Sequence, residues 1–156
     1  MRGRLGLVLG VGAASALVLV VSLVSVSVAG SNVTRLAVIE HPTTDTVVDL
    51  TTNGDSTGDL LTFHNELFDD ANEIVVGTDQ GECVRIEVGV SWECRGINFL
   101  EGGSITVEGP VFDDGPSALA ITGGTGAYGG ARGSMRLLAR DAAGTESDFV
   151  FRILTA

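Results

Sequence analysis

Two arrangements of apolar residues divide the chain. From Leu5 to Val28 an apolar run continues without a charged side chain, whereas from Val33 onward short stretches rich in Val, Ile, Leu, Phe and Thr are separated by Gly, Asp, Asn and Pro. The second arrangement is that of strands and turns. It predicts strands near Arg35–Glu40, Asp59–Phe68, Glu73–Val76, Gly81–Val88, Trp92–Asn98, Gly103–Glu108, Ser117–Thr122, Ala131–Arg140 and Ser147–Leu154. Beyond the apolar run no segment keeps helical spacing for three turns, and twenty-two glycines fit helices poorly. The expectation is an all-β domain of eight or nine strands. Such a chain makes either a sandwich or a closed up-and-down barrel, and the period of the pattern does not separate the two.

Within this pattern Gly81–Asn98 reads as a hairpin, with Val88 and Gly89 as its two-residue turn and Cys83 opposite Cys94. Arg85 then faces Trp92. In that register Cys83, Arg85 and Glu87 share one face with Trp92 and Cys94, while Val84, Ile86 and Val88 share the other. Which face lies inside is left open by the sequence.

The apolar run follows Met1, Arg2 and Arg4, which is the layout of a secretory leader. Ser27 and Ala29 provide small residues at signal-peptidase spacing, so residues 1–29 are expected to be a signal peptide and 30–156 the domain. With 24 residues the run is also long enough to span a bilayer, for which about 20 suffice, so an uncleaved membrane anchor is the alternative. No cysteine follows the run directly, which argues against a lipoprotein. The expected destination is extracellular, and any contact with a membrane is expected only through a retained leader.

Composition sharpens this picture. Past residue 29 the chain holds seven arginines, no lysine and twenty acidic residues, a formal charge of −13. Nucleic acid is therefore excluded as an expected partner, since phosphate binding draws on basic surface. The only cysteines, Cys83 and Cys94, belong to a domain expected to leave the reducing cytosol, and a disulfide is the default. An all-arginine basic set with abundant Ala, Gly and Val suits a high-GC bacterial genome.

Several motifs reduce to ordinary structure. The glycine-rich run from Ile121 to Gly133 lacks the βαβ context of a dinucleotide loop and reads as a tight strand connection. The two Phe-Asp-Asp copies, Phe68–Asp70 and Phe112–Asp114, lack calcium-loop spacing and read as turns. His41 and His64 have no histidine or cysteine neighbour at metal-ligand spacing, so no metal site is expected. His64 reads as a strand wall position, and His41, before Pro42, as the end of the first strand. No Gly-x-Ser-x-Gly elbow is present for a serine hydrolase. Asn32-Val-Thr34 matches a glycosylation acceptor, a motif that also arises by chance.

Four further segments carry a resemblance. Gly58-Asp-Leu-Leu-Thr-Phe-His-Asn-Glu-Leu-Phe-Asp-Asp70, Gly81-Glu-Cys-Val84, Val107-Glu-Gly-Pro110 and Leu119-Ala-Ile-Thr-Gly-Gly-Thr-Gly126 are similar, in the same order, to stretches of the allene oxide cyclases and, more loosely, of the dirigent proteins. The resemblance implies an eight-stranded antiparallel calycin-like β-barrel, a homotrimer, and a hydrophobic cavity that holds one conformation of a small reactive molecule without metal or organic cofactor. It implies Glu40 and Asn65 as catalytic and ligand-binding residues and Cys83 as a cavity residue. Asn65 would orient an oxygen and Glu40 would stabilise developing positive charge. The chain departs from the cyclases at Pro42, where they carry an asparagine.

The function expected from this reading is a secreted barrel that binds a small hydrophobic molecule and steers its cyclisation or coupling. The competing expectation is a non-catalytic extracellular binding or structural barrel, because a fold does not carry its chemistry with it. An enzyme would aim Glu40 and Asn65 at one apolar pocket; a structural module would fill the barrel with side chains.

Overall fold

The computed structural model describes residues 32–51 and 54–155; the leader expected at 1–29 lies outside them. The strands follow from the period-2 pattern. Along Ser147–Thr155 the side chains of Ser147, Phe149, Phe151 and Ile153 turn inward while Val150 and Arg152 face solvent, and Ser117–Gly124 alternates in the same way. Nine strands result among the described residues, β1 Asn32–His41, β2 Thr46–Val48, β3 Leu60–Phe68, β4 Val75–Glu87, β5 Ser91–Leu100, β6 Gly103–Phe112, β7 Ser117–Gly124, β8 Arg132–Ala139 and β9 Ser147–Thr155. One 3-10 turn, Gly126–Tyr128, interrupts the glycine-rich connection between β7 and β8.

All neighbouring strands are antiparallel, in the order β1-β9-β8-β7-β6-β5-β4-β3-β2. Ile39–His41 of β1 also pair with Glu66–Phe68 of β3, and this contact closes eight strands into a barrel. Closure settles the choice between sandwich and barrel. The short β2 lies against Leu60–Thr62, covering the part of β3 that β1 does not reach. With three exposed residues β2 has no alternation to betray it in the sequence.

One expected strand does not exist separately. Glu73–Val76 and Gly81–Val88 merge into β4, because the glycines between them mark close approach rather than a turn. A Cβ on Gly77 would collide with the carbonyl oxygen of Phe99, and one on Gly81 with that of Arg95.

The β4–β5 hairpin keeps the expected register, Cys83 opposite Cys94 and Arg85 opposite Trp92, and the two cysteines form a disulfide. The Val90 N–H bonds to the Glu87 carbonyl across Val88 and Gly89, whose φ of 71° is one that glycine adopts without strain. A bulge at Ile86 then pairs Glu87 with Ser91. The inner face is the one that carries the disulfide, Arg85 and Trp92, while Glu82, Glu93 and Arg95 lie with Val84 on the exposed face. Arg85 is 7% exposed, stacks 4.0 Å over the Trp92 ring and bonds to Asp55 at 2.8 Å and Asp113 at 2.6 Å, so its charge is neutralised where it is buried. Ile86, on the opposite face, is 52% exposed.

The core is uneven along the barrel axis. Val38, Leu67, Ile105, Ile121, Phe151 and Ile153 fill one end. The end where β1 finishes is not filled in this way, and the site lies there.

Candidate functional site

Four strands send polar side chains into the barrel near the end of β1. Asn65 of β3, Asp79 of β4 and Asn98 of β5 stand in register across the sheet, and Glu40 enters from β1. The same alternation that turns Val38 inward turns Glu40 inward. Asn65 holds the group together: its Nδ2 donates to Glu40 Oε1 at 3.0 Å and to Asp45 Oδ1 at 2.8 Å. Its Oδ1 accepts from the backbone N–H groups of Thr43 and Thr44, both at 3.0 Å. One amide therefore aims the Glu40 carboxyl and draws the 42–45 loop over the mouth of the barrel.

Glu40 is 8% exposed and Asp79 2%. Burial pushes Glu40 up to about 7, against the bond from Asn65 and assisted by the charge of Asp45. Burial, followed by the charge of Glu40, pushes Asp79 up to about 8. The two carboxyls share a hydrogen bond, so near neutral pH the pair holds a proton between them. The Asn65 N–H, 3.3 Å from Asp79 Oδ1, opposes full neutralisation.

Beside this pair is a cavity of about 200 Å³. Leu61, Phe63, Val107, Val111, Leu119, Met135, Leu137 and Phe149 form its apolar walls, and Glu40, Asp45, Asp79, Asn98 and Ser147 its polar side. Gly96 lines it too, and opposite stands Gly81; the Phe63 ring occupies the room that a side chain on Gly81 would take, and lies at ordinary contact distance from a Cβ on Gly96.

Of the residues expected from the sequence, Glu40 lines the cavity. Asn65 lies behind it, 1% exposed, with both amide hydrogens donated and its oxygen already accepting. Cys83 lines the wall as half of the disulfide with Cys94, so it presents no thiol. Asp79 and Asn98 were not singled out from the sequence. A signal existed for Asp79: it has the parity of Cys83 and Arg85 in one strand, and an acidic residue inside a strand is uncommon.

Other singled-out residues do structural work. His41 ends β1, stacks on Phe68 with ring centroids 4.1 Å apart and bonds to Asn72 Oδ1 at 2.7 Å. His64 is exposed on β3. Asp69 accepts the Glu73 N–H at 2.8 Å inside a turn, and Asp113 pairs with Arg85. No group of three or more metal-ligating side chains gathers among the described residues, and no helix among them is long and apolar enough to cross a membrane.

Residues 39–151 match the family model described as allene oxide cyclase barrel like domain. Solved structures with the same fold include a pyocyanin demethylase, 24% identical with a TM-score of 0.67 over 78% of this chain and 100% of that one. A pterocarpan synthase dirigent protein is 18% identical with a TM-score of 0.65 over 79% and 94%. A Diels-Alderase from Streptomyces koyangensis is 15% identical with a TM-score of 0.62 over 82% and 70%. At these identities the likeness is one of fold.

Proposed function

The chain belongs to the allene oxide cyclase barrel-like family, and from that premise we propose that its cavity binds a small, largely apolar molecule and steers its cyclisation or coupling by holding it in one conformation. The observation that carries this reading is the unfilled cavity with apolar walls and the buried carboxyls of Glu40 and Asp79 on one side. Its volume limits the enclosed part of the ligand to one or two rings, since a cavity of about 150 Å³ is enough for benzene. Orientation against fixed walls is the main source of rate, because it removes the freedom that ring closure must otherwise overcome.

In this reading Glu40 is the catalytic residue. The carboxyl pair stabilises positive charge that develops on the ligand, and its proton is available to an oxygen that becomes basic as bonds rearrange. Asn65 is a positioning residue that fixes the Glu40 rotamer. The Cys83–Cys94 disulfide supports an oxidising compartment, in keeping with an exported protein.

Native mass spectrometry of the protein taken from its own culture tests the reading. A retained apolar molecule is expected, and with that molecule as substrate Glu40→Gln should keep binding while slowing conversion by about 10²-fold. A protein that carries nothing and rejects hydrophobic probes would instead support the non-catalytic structural barrel.

A further inference from the structure

Asn98 lines the cavity and is 1% exposed, and its Oδ1 has no hydrogen-bond partner among the described residues. A buried acceptor left unpaired costs free energy, so it calls for an explanation. The orientation of the amide is assigned from one long contact: Nδ2 lies 3.5 Å from the Ile105 carbonyl, and turning the amide over would set two acceptors against each other. Asp79, directly across the β4–β5 pairing, is already engaged with the Glu40 carboxyl and the Asn65 N–H. Neighbouring walls such as Val107 and Leu119 offer no donor.

We propose that Asn98 Oδ1 is the docking point for a hydrogen-bond donor on the ligand, which makes the ligand a one- or two-ring molecule bearing a phenolic or enolic hydroxyl or a ring N–H. This rests on the cavity being the ligand site and adds to it the class of molecule. The donor binds Asn98 on β5 while the body of the ligand fills the apolar walls, which fixes the direction from which the Glu40–Asp79 pair meets it. A hydrocarbon or ether of the same shape fills the walls but leaves Asn98 unpaired, and sites built around a buried polar group discriminate strongly on that basis.

The test compares 2-naphthol with 2-methylnaphthalene, which differ by a hydroxyl against a methyl group, by titration into the purified protein and into Asn98→Leu. The unmodified protein should bind 2-naphthol about tenfold more tightly or better, and the variant should lose that preference while still binding both. If both probes bind and the preference is absent, or survives in Asn98→Leu, the proposal is overturned and the cavity reading stands. If neither probe binds the unmodified protein, the cavity reading falls and the proposal with it. Should Asn98→Leu not fold, the side-chain carbonyl ¹³C resonance of Asn98 in the unmodified protein decides: it should shift with 2-naphthol and stay in place with 2-methylnaphthalene, and equal responses overturn the proposal.

Discussion

Glu40 and Asp79 retain a proton that the unfolded chain releases near its ordinary carboxyl pKa, so the folded state binds more protons between about pH 4 and pH 8. The pair's contribution is fully present below the unfolded values and is lost as pH rises through the folded ones. Stability should therefore fall across that window, by at most about 1.4 kcal/mol per pH unit for each extra proton, and Glu40→Gln should flatten the slope in denaturant melts. A melt series in which stability does not fall between pH 5 and pH 8 would contradict the shared proton. Asp59 and Asp141 act in the other direction: hydrogen bonds from Leu50 and Ser56, and from Thr145 and Ala143, hold them below the usual range, so their contribution is lost in acid. Asn65→Leu removes five hydrogen bonds to four residues at once, and unfolding should become easier by about 2–3 kcal/mol. The resemblance pointed to Glu40 and Asn65, and the structure puts Glu40 on the cavity and Asn65 behind it. That Asn65 serves Glu40 and the loop was not legible, because hydrogen-bond partners 20 to 25 residues away depend on how strands align.

Among the elements, the β4–β5 hairpin was the most legible. Its turn, register and cysteine pair all follow from local spacing, and local pairing is what a sequence reports best. Reducing the disulfide should lower stability by about 2–3 kcal/mol in denaturant titration, since the closed loop is short. The glycines of β4 and β5 divide sharply. Gly81→Ala should destabilise by about 2 kcal/mol or more, because its Cβ meets backbone, whereas Gly96→Ala should fold normally with its nearest neighbours, Phe63 and Val107, at 3.6 Å. The second substitution narrows the cavity and should weaken binding of two-ring probes with little change in melting temperature. Equal effects on stability would refute the difference in packing. Gly77 and Gly81 read as a break between strands because a sequence does not distinguish a glycine that turns from one that admits a neighbouring backbone.

At the scale of the molecule, closure rests on three residue pairs between β1 and β3, yet it decides that the face of the hairpin with the disulfide and Arg85 is inside and the face with Val84 and Ile86 outside. Val48, Leu60 and Val84 consequently form an outward row across β2, β3 and β4, next to exposed Ile86. The homotrimer that the resemblance implies would need an apolar contact face, and this row is the one to test. Native mass spectrometry should give a trimer that Val84→Glu dissociates; a monomer in the unmodified protein would refute it. The same spectrum reads the leader, because a mature chain beginning at Gly30 means cleavage and one beginning near Met1 means an anchor.

The sequence by itself determined the all-β class, the positions of the strands other than the short β2 and the unbroken β4, the hairpin register and the acidic character of the domain, since these depend on alternation, turn chemistry and composition. Tertiary structure alone decided that the ends of the sheet meet, which face of each strand is buried, and that Glu40, Asp79 and Asn98 border one space. Those three residues come from three strands and span 59 positions of chain. Their proximity is set by the stagger of a closed barrel, which no local pattern encodes.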